Sequence, residues 1–533
     1  MPTDCISFRD TAYVSKLICD YVENRPELQG LYNRFPSIEN FKAQLEVKQS
    51  EFSSEKRSVL VKALTKQYAQ ISPSKLTTSA IRSLEDKTTF TVTTGHQLNL
   101  MGGPLYFLYK IISTINLVKE LKQKYPKYNF VPVFWMATED HDFEEINHFN
   151  FKNKRFQWTQ NTAGAVGALP TSELLDFVNV FSNALGNSQQ ALALKDIVQK
   201  VYLSHPNLAD ATRYFVHTLF GSDGLLIIDG NDATLKQLFI PQIKSELINK
   251  NAYKTVAETN QLLVGIDSAY KIQVTPRELN LFYLKDNLRE RIVQKESLYT
   301  VLNTDIQWDL KGILEELHSN PEHFSPNVIM RPLYQESILP NLCYIGGGGE
   351  LAYWLQLKSY FEAEEIQFPI LLHRNSVLII NKKQRQKLDK LKLSVSDLFQ
   401  DKQILMTSQI KKISTLPIDF SSQKEHLKQQ FKQLYVIANQ TDKSFKAAVS
   451  AQEKKQIKGL EALEKRLLKA EKKAHKAYIE RLEAIHFELF PNGSLQERFS
   501  NFSEFYLEHG DEFIDQLKTE LDPLSQNFHV LTL

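Results

Sequence analysis

The sequence predicts a doubly wound α/β core followed by a long helical arm. From residue 90 onward, short apolar runs alternate with helix-length segments, and such runs are typical of parallel strands that are covered on both faces. Residues 418–490 contain no proline and one glycine, Gly459, and they are rich in Lys, Glu, Gln, Ala and Leu. The first pattern predicts the sheet, and the second predicts the arm.

Five apolar runs are predicted as strands of the sheet, at 89–94, 131–137, 225–229, 342–346 and 368–373. A helix from Leu105 to about Lys122 connects the first two strands. The gaps between the second and third strands and between the third and fourth strands exceed an ordinary crossover. We therefore expect insertions near 151–205 and 236–325 that stand over the edge of the sheet.

The arm is predicted to be a coiled coil. A shorter helix near 421–440 and a longer helix near 445–488 are separated by polar residues that can cap a helix. Apolar residues of the longer helix recur at steps of three and four, as in a heptad seam, at Leu460, Leu463, Leu467, Ala470, Ala474 and Ala477. The shorter helix can cover part of this seam, and we expect a second subunit to cover the rest.

These patterns divide the chain into four parts. Residues 1–85 are predicted to be a mainly helical part of the core, and 86–420 to be the sheet core with its two insertions. Residues 421–490 form the predicted arm, which ends at Pro491 because proline cannot continue a helix. The remaining residues, 491–533, are expected to pack back on the core.

The composition gives no signature of nucleic-acid or membrane binding. The net charge is +2, and 42% of the residues are hydrophobic, which is ordinary for a globular protein. No apolar run approaches the roughly 20 residues of a membrane span. The N-terminus has no basic segment followed by an apolar one, so the sequence predicts no signal peptide. Cys5, Cys19 and Cys343 are too widely spaced for a disulfide framework or a thiolate metal site. We expect a cytoplasmic protein.

A first polar cluster, Thr94-Gly95-His96-Gln97, closes the first predicted strand and precedes a helix. Gly95 permits a tight turn, and the backbone N–H groups at the start of a helix favour anions. Gly102 and Gly103 follow within a few residues and would let the backbone approach a phosphate or a carboxylate. The alternative is a strand–turn–helix corner without a ligand, in which the glycines are needed only for steric reasons.

A second polar cluster, 139–148, closes the second predicted strand and holds five acidic residues and two histidines. One interpretation is general acid–base chemistry by His141, oriented by Asp140 or Asp142. Another is recognition of an amine or a hydroxyl-rich substrate by the carboxylates. A site for Mn, Fe or Zn is the third, but no second His/Asp cluster supports it. A surface loop without a ligand would also hold these residues at little cost.

Four consecutive glycines, 346–349, lie between the fourth predicted strand and a helix. Each glycine costs conformational entropy on folding, so we expect that a ligand anion must approach the backbone N–H groups there. Arg331 precedes this strand, and Arg374 follows the last one. Arg331 is a candidate clamp for a carboxylate or a phosphate. Cys343 lies inside the strand and is expected to be inert packing.

Taken together, these segments resemble the bacillithiol biosynthesis cysteine-adding enzyme family. The resemblance rests on stretches that occur in family order and span almost the whole chain. They are 94–97 with 103–106, 132–135 with 139–146, Arg331-Pro332-Leu333-Tyr334-Gln335-Glu336, Gly349-Glu350-Leu351-Ala352-Tyr353-Trp354, and 490–493 with 495–498. The Glu-Asp-His-Asp and Gly-Glu-x-Ala-Tyr-Trp blocks are the most specific of them.

The resemblance implies a fold and a reaction. The fold is a Rossmann-like parallel-sheet core with connecting-peptide insertions, similar to the class I aminoacyl-tRNA synthetase and nucleotidylyltransferase superfamily. It also implies a C-terminal coiled-coil arm that forms a homodimer. The implied reaction is that of a ligase, which joins the carboxyl group of L-cysteine to the amine of glucosaminyl-malate and so forms bacillithiol. By superfamily analogy, ATP would activate the carboxyl group.

The resemblance also implies roles for individual residues. The catalytic candidates are Asp140, His141 and Asp142. The substrate-binding candidates are Thr94, Gly95, His96, Gln97, Arg331, Gln335, Gly347, Gly348, Gly349, Glu350, Tyr353 and Arg374. A nucleotide, ATP or ADP, is expected near the junction of arm and core, at Asn375, Ser376, Phe490, Pro491, Asn492, Gly493 and Arg498. No metal is expected.

Two other functions stay open at the level of the sequence. One is a different nucleotide-dependent amide-forming or nucleotidyl-transfer enzyme on the same scaffold, with another amine acceptor. The other is a non-enzymatic assembly or nucleotide-sensing protein in which the coiled coil is the working part.

Overall fold

The computed structural model describes residues 4–160 and 162–533. Contacts divide the chain into two units, which are described separately. The core unit holds the residues up to Arg9, Tyr13–Leu378 and Ser494–Leu531. The coiled-coil unit holds Asp10–Ala12, Ile379–Gly493 and Thr532–Leu533. The sequence placed the start of the arm at residue 421, whereas the second unit begins at Ile379 because two shorter helices pack with the long ones.

A five-stranded parallel sheet lies at the centre of the core unit. Its strands, in spatial order, are Ile370–His373, Asn341–Gly346, Thr89–His96, Asn129–Met136 and Leu226–Asp229. All neighbouring strands are parallel. Numbered along the chain, the order is 5-4-1-2-3, which is the doubly wound order of Rossmann-like folds. The predicted fold class and all five predicted strands are confirmed.

The strand order reverses between Thr89–His96 and Asn341–Gly346. Ligands of open α/β sheets bind beyond the carboxyl ends of the strands at such a switch point. The Thr94 hydroxyl donates a hydrogen bond to the Ile345 carbonyl oxygen, 2.8 Å away, and so links the two strands just before they end. His96 and Gly347 therefore emerge side by side at the edge of the sheet.

The helix Tyr106–Lys124 covers one face of the sheet, close to the predicted bounds of 105 and 122. Its buried residues Leu117 and Leu121 pack in a cluster with Phe90, Phe130 and Ile345 from the strands. The strands are buried on both faces, which explains why their sequences are continuous apolar runs.

Two long segments separate the strands Asn129–Met136, Leu226–Asp229 and Asn341–Gly346. The first contains an antiparallel hairpin, His148–Phe151 with Lys154–Gln157, and the helices Leu175–Leu185 and Gln189–Leu203. The second contains the helices Ile240–Asn249, Asn251–Ile266 and Leu310–Ser319. It also forms an antiparallel sheet in the order Gln307–Trp308, Leu298–Val301, Leu288–Lys295, Leu281–Lys285 and Phe324–Pro326.

The remaining elements of the core unit are mainly short helices. In the N-terminal part they are Phe8–Thr11, Lys16–Val22, Phe41–Glu51, Ser54–Gln67 and Lys75–Ser83. Later helices are Phe143–Ile146, Leu208–Phe220, Ala233–Gln237, Met330–Ile338, Gly348–Trp354, Lys358–Ala363, Gln496–Phe499, Ser503–His509 and Glu512–Glu520. The strand Asp4–Ser7 pairs antiparallel with Asn527–Thr532, and the strand Ser376–Ile380 follows the last strand of the central sheet.

The coiled-coil unit contains the helices Lys382–Leu391, Lys402–Ile413, Ser421–Ala438, Lys443–Ala474 and Lys476–Leu489. The sequence predicted one long helix over 445–488, and this was wrong in one respect. The helix is interrupted at His475, whose φ of −98° and ψ of 28° are not helical.

The helices Ser421–Ala438 and Lys443–Ala474 pack against each other through Phe431, Ala438 and Val449. Of the predicted seam, Leu460 and Leu467 are half-buried, whereas Leu463 is 54% exposed and the three alanines are exposed. The hairpin therefore covers only part of the seam. Within the described residues, no helix is long and apolar enough to cross a membrane.

Candidate active site

Two adjoining cavities open at the carboxyl edge of the central sheet. The switch-point cavity, of about 420 Å³, is lined by Gly95, His96, Gln97, Tyr106, Lys110, Trp135, Ala137, Glu145, Val328, Arg331, Tyr344, Gly347, Gly349, Glu350, Tyr353, Arg374 and Arg498. The hairpin cavity, of about 360 Å³, is lined by residues 135–141, Gly230, Arg277, Leu279, Leu281, Phe282, Arg289, Arg291, 326–328 and Arg331. Trp135, Ala137, Val328 and Arg331 belong to both cavities, so the two spaces share one wall.

An ion pair between the buried Lys110 and the half-buried Glu350 lies in the switch-point cavity. The Lys110 ammonium is 2.6 Å from Glu350 Oε2 and donates to the Gly95 carbonyl oxygen at 2.8 Å. Glu350 also accepts hydrogen bonds from the Tyr344 hydroxyl and from the Gly347 N–H. Burial opposes ionisation of Glu350, but Lys110 and these donors outweigh it and lower its pKa to about 2. The carboxylate is therefore ionised, and both of its oxygens already have partners within the protein.

Arg331 lies in the wall between the two cavities and has no acidic partner. Its guanidinium donates to Gln335 Oε1 at 3.0 Å and to the Tyr353 hydroxyl at 3.4 Å. It also lies near the faces of Trp135 and Tyr344, 5.9 and 5.7 Å from the ring centroids. In residues 4–160 and 162–533, no carboxylate lies within 4.0 Å of it. A half-buried charge of this kind attracts an anionic ligand.

Arg374 is placed differently from Arg331, although both line the switch-point cavity. Arg374 and Glu497 are both buried and form an ion pair with a distance of 2.7 Å. Arg374 Nη1 also donates to the Asn375 carbonyl oxygen and to the Ser376 hydroxyl. The charge of Arg374 is thus largely satisfied inside the core, and only its Nε lacks a partner among the described residues.

The acidic cluster is distributed over both cavities. The Gln97 amide donates to Asp140 Oδ2 at 3.0 Å and to Glu145 Oε2 at 2.6 Å, and so ties the two carboxylates together. Glu139 forms an ion pair with the buried ammonium of Lys236. Asp142 is exposed and lines neither cavity. Asp140 and Glu145 are therefore the acids placed to meet a ligand.

His141 is held by Arg289, a residue of the second insertion. Arg289 Nη1 donates to His141 Nδ1 at 2.5 Å, and the imidazole is about half exposed, with 51% of its side chain accessible. Because Nδ1 accepts this hydrogen bond, a neutral His141 carries its proton on Nε2. In this arrangement His141 can donate a hydrogen bond into the hairpin cavity, but its Nε2 cannot take up a proton.

His96 lies at the switch point and is buried. Its Nε2 is 3.3 Å from the Gly102 carbonyl oxygen, which can only accept, so Nε2 carries the proton. Burial and then the nearby charge of Lys110 lower the pKa of His96 to about 3. The aromatic rings of Tyr106 and Phe107 pack against the imidazole of His96. His96 is therefore neutral near pH 7 and presents a hydrogen-bond acceptor, Nδ1.

The glycines near the site have different roles. Gly102 and Gly103 have φ values of +72° and +69° and line neither cavity, so they serve the turn itself. Gly347 and Gly349 line the switch-point cavity, but the Gly347 N–H is already bonded to Glu350. Gly348 does not line it, because its α-carbon faces Ile18 and His373. The predicted anion cradle is thus partly occupied by a carboxylate of the protein.

Comparison with known proteins assigns the family. The family description "Bacillithiol biosynthesis BshC, N-terminal Rossmann-like domain" matches residues 1–375. The description "Bacillithiol biosynthesis BshC, C-terminal coiled-coil domain" matches residues 377–533. The chain belongs to the BshC family of bacillithiol biosynthesis. The resemblance predicted from the motifs is thereby confirmed, together with the Rossmann-like core and the coiled-coil domain.

Relatives of this BshC-family chain carry one name, "Putative cysteine ligase BshC". A protein of Flavobacterium johnsoniae is 56% identical over 533 residues, which is 100% of both chains. A protein of Cytophaga hutchinsonii is 37% identical over 98% of both chains. A protein of Bacillus anthracis is 29% identical over 97% of this chain and 98% of its own. The family match therefore extends over nearly the full length of these relatives.

Most of the residues that the sequence singled out come together in this BshC-family site. Asp140 and His141 line the hairpin cavity, and nine substrate-binding candidates line the switch-point cavity: Gly95, His96, Gln97, Arg331, Gly347, Gly349, Glu350, Tyr353 and Arg374. Thr94, Gln335, Gly348 and Asp142 lie outside both. Gln335 is fully buried and acts on the site only by holding Arg331.

Sequence reasoning missed several residues of the BshC-family site. Lys110 is the first, although a lone lysine within Phe107-Leu108-Tyr109-Lys110-Ile111-Ile112 is a signal for a buried charge. Arg289 and Arg291 were missed as well, although residues two apart on a strand share one face. The others are Tyr106, Arg277 and Tyr344, whereas Glu139 and Glu145 lie in the predicted acidic cluster 139–148.

The suspected nucleotide residues fall in both units. In the core unit, Asn375 is buried and bonds to Ser113 and to the Asp522 carbonyl oxygen, whereas Arg498 is exposed at the switch-point cavity. Ser376 is buried and accepts a hydrogen bond from Arg374. In the coiled-coil unit, Phe490 packs on Phe399 and His486, and residues 491–493 form a turn with Asn492 at a φ of +53°.

Among the described residues, no group of three or more His, Cys, Asp or Glu side chains is arranged to hold a metal ion.

Proposed function

We propose that this chain is a cysteine ligase that joins the carboxyl group of L-cysteine to the amine of glucosaminyl-malate and so forms bacillithiol. The proposal rests on one observation: groups of opposite charge lie together at the two adjoining cavities. Arg331 offers an unpaired cation to carboxylates, and Asp140 and Glu145, tied by Gln97, offer carboxylates to an amine. The name shared by the relatives, which span this whole chain, supports the same function.

The malate part of the acceptor carries two carboxylates, which fit the cations of the switch-point cavity. Arg331 can form charge-assisted hydrogen bonds to one carboxylate, since it lines the cavity and no carboxylate of the described residues lies within 4.0 Å of it. Arg498, which is exposed at the same cavity, is placed to meet the other. Arg374 contributes less, because Glu497 already neutralises it.

The amine of the acceptor fits the carboxylates on the other side. As an ammonium it donates to Asp140 and Glu145, and it must lose a proton before it can attack. Asp140 is the base in this proposal, because the Nδ1 of His141 already accepts from Arg289. The amine nitrogen bonds to the carbonyl carbon of an activated cysteine, the bond from this carbon to its phosphorylated oxygen breaks, and Asp140 receives the proton.

Three further parts of the proposal concern partners and setting. A free carboxylate does not condense with an amine in water, so a carboxylate oxygen of cysteine first attacks the α-phosphorus of a nucleoside triphosphate such as ATP and releases pyrophosphate. When the amide forms, this phosphorylated oxygen leaves as part of the nucleoside monophosphate. The protein acts as a homodimer through its coiled coil, which is supported by the exposed seam residue Leu463. The reaction takes place in the cytoplasm, where free cysteine thiols persist.

The proposal is tested by reconstitution with the purified full-length chain. L-cysteine, glucosaminyl-malate and Mg-ATP are supplied, and bacillithiol is measured by mass spectrometry. We expect product from the wild-type chain and from Glu144→Gln, an exposed neighbour outside both cavities, and a loss of at least about a hundredfold for Asp140→Asn. Absence of product with several nucleotides, while a family relative makes it under the same conditions, contradicts the proposal.

A further inference from the structure

The hairpin cavity holds a cluster of four arginines, and Arg331 alone among them binds substrate in the proposed reaction. Arg277, Arg289, Arg291 and Arg331 all line it. In the described parts of the chain, 4–160 and 162–533, none of the four has a carboxylate within 4.0 Å. Four guanidinium groups around one cavity repel each other unless an anion lies between them. The cavity is therefore built for negative charge.

The arrangement follows from the antiparallel sheet of the second insertion. Arg289 and Arg291 are two residues apart on the strand Leu288–Lys295 and so project from the same face. Arg291 pairs across the hairpin with Phe282, and the Arg289 guanidinium lies 4.1 Å from the centroid of that ring. Burial, and then the nearby charge of Arg277, lower the pKa of Arg291.

The acids of the hairpin cavity, Glu139 and Asp140, offset only part of this charge, and they act on Arg289. Glu139 is paired with Lys236, whose buried ammonium adds a further positive charge beside the cavity. Asp140 accepts from Gln97 and from the His141 N–H. The Nε of Arg291 has no partner among the described residues. A single carboxylate, such as that of cysteine, would leave most of this positive charge unbalanced, whereas a chain of phosphate groups would balance it.

We propose that the hairpin cavity is the subsite for the phosphate groups of a nucleoside triphosphate, held by Arg277, Arg289 and Arg291. Arg331, in the wall shared with the switch-point cavity, stands between these phosphates and the acceptor's carboxylates. The apolar lining from Leu281, Pro326 and Val328 suits the uncharged part of the nucleotide. The inference rests on the proposed function, because that function supplies the reason for a nucleotide beside the acceptor.

The test is direct binding by the full-length chain, measured by isothermal titration calorimetry. The probes are inorganic pyrophosphate, Mg-ATP and adenosine. The double variant Arg277→Gln, Arg291→Gln should weaken the binding of pyrophosphate and of Mg-ATP by about tenfold or more, because each lost partner is a charge-assisted hydrogen bond. Arg155→Gln, an exposed arginine of the other inserted hairpin, is the matched control and should change neither Kd by more than about twofold.

A second variant keeps the test valid if the double variant unfolds. Arg277 is exposed, so Arg277→Glu should preserve the fold and weaken pyrophosphate more than Arg277→Gln does. The inference is overturned if wild type shows no saturable binding of pyrophosphate or Mg-ATP at millimolar concentration. It is equally overturned if the arginine variants bind both probes as wild type does. Binding of adenosine alone, unchanged in every variant, would place the nucleotide elsewhere and also overturn it.

The result separates this inference from the proposed function. If wild type makes bacillithiol and the KM for ATP is unchanged in the arginine variants, the function stands and the subsite is wrong. If the arginines bind Mg-ATP but no bacillithiol forms, the subsite stands and the acceptor or the reaction is wrong.

Discussion

Arg289 donates a hydrogen bond to Nδ1 of His141 across 2.5 Å, although the two residues are 148 positions apart in the chain. The contact connects the inserted sheet to the acidic cluster at the end of the second strand of the central sheet. It fixes the proton of the neutral imidazole on Nε2. In the proposed reaction, His141 thus serves as a hydrogen-bond donor and Asp140 as the proton acceptor.

The first prediction compares two substitutions at these positions. Asp140→Asn removes the base and should lower kcat by about 10² to 10⁴. His141→Gln keeps an N–H donor near the position of Nε2 and should lower kcat by only about tenfold, the loss of one hydrogen bond. The measurement is the steady-state rate of bacillithiol formation. An equal loss in both variants would show that His141 is the base after all.

The second prediction concerns the ion pair of Lys110 and Glu350. Lys110→Met should lower the free energy of unfolding by about 1 to 3 kcal/mol, because it leaves the half-buried Glu350 carboxylate without its cation. Adding Glu350→Gln to this variant should restore part of the loss. Urea denaturation measures both, and Lys119→Met, an exposed lysine of the same helix, is the control. An unchanged stability of Lys110→Met would mean that water reaches the pair.

The third prediction is the dependence of stability on pH. Burial holds the pKa of His96 and of His373 at about 3, so below pH 6.5 only the unfolded chain binds these two protons, and stability falls. Burial raises the pKa of Glu246 and of Glu336 to about 7, so the folded chain binds two extra protons between pH 7 and 4.5, and stability rises on acidification there. The two effects oppose each other between pH 6.5 and 4.5.

Below pH 4.5 the contribution of the two glutamates is complete, while that of the histidines continues to about pH 3. The contribution of these four groups to the free energy of unfolding should therefore be nearly constant from pH 6.5 to 4.5 and then fall by about 2.7 kcal/mol per pH unit. Urea unfolding at pH 7, 6, 5 and 4 gives the profile, and His373→Gln should make the fall below pH 4.5 less steep. An equally steep fall in His373→Gln would contradict the pKa shift assigned to His373.

The fourth prediction tests the dimer through its seam. Leu463→Asp should convert a dimer to a monomer in sedimentation velocity, because the residue is 54% exposed in one chain and would place a charge in the interface between two. Leu463 is a cleaner probe than Leu467, which is half-buried within its own hairpin. Leu416→Asp, an exposed leucine of the same unit outside the seam, is the control. A monomeric wild type, or a dimer that survives Leu463→Asp, would refute the proposed dimer.

The sheet was predictable because its strands are buried on both faces and read as uninterrupted apolar runs. The polar clusters at 94–97 and 139–142 were predictable for a related reason. Parallel strands end at one edge, so residues that follow the strands Thr89–His96 and Asn129–Met136 must lie close together.

The partners within the site were not predictable, because they are distant in sequence. Glu497 lies 123 residues beyond Arg374 and neutralises it, which no local pattern indicates. The break at His475 was missed because the residues around it all favour a helix. Arg331 was predicted as an anion clamp, but only the structure distinguishes its unpaired charge from the paired charge of Arg374.

The central claim is that Arg331 receives a carboxylate of the acceptor at the switch point, and calorimetric titration of glucosaminyl-malate tests it most directly. Arg331→Gln should weaken binding of this ligand by about tenfold or more, since it removes a charge-assisted hydrogen bond. Glucosamine, which lacks the malate carboxylates, should bind wild type and variant alike. Equal affinity of wild type and Arg331→Gln for glucosaminyl-malate would contradict the account.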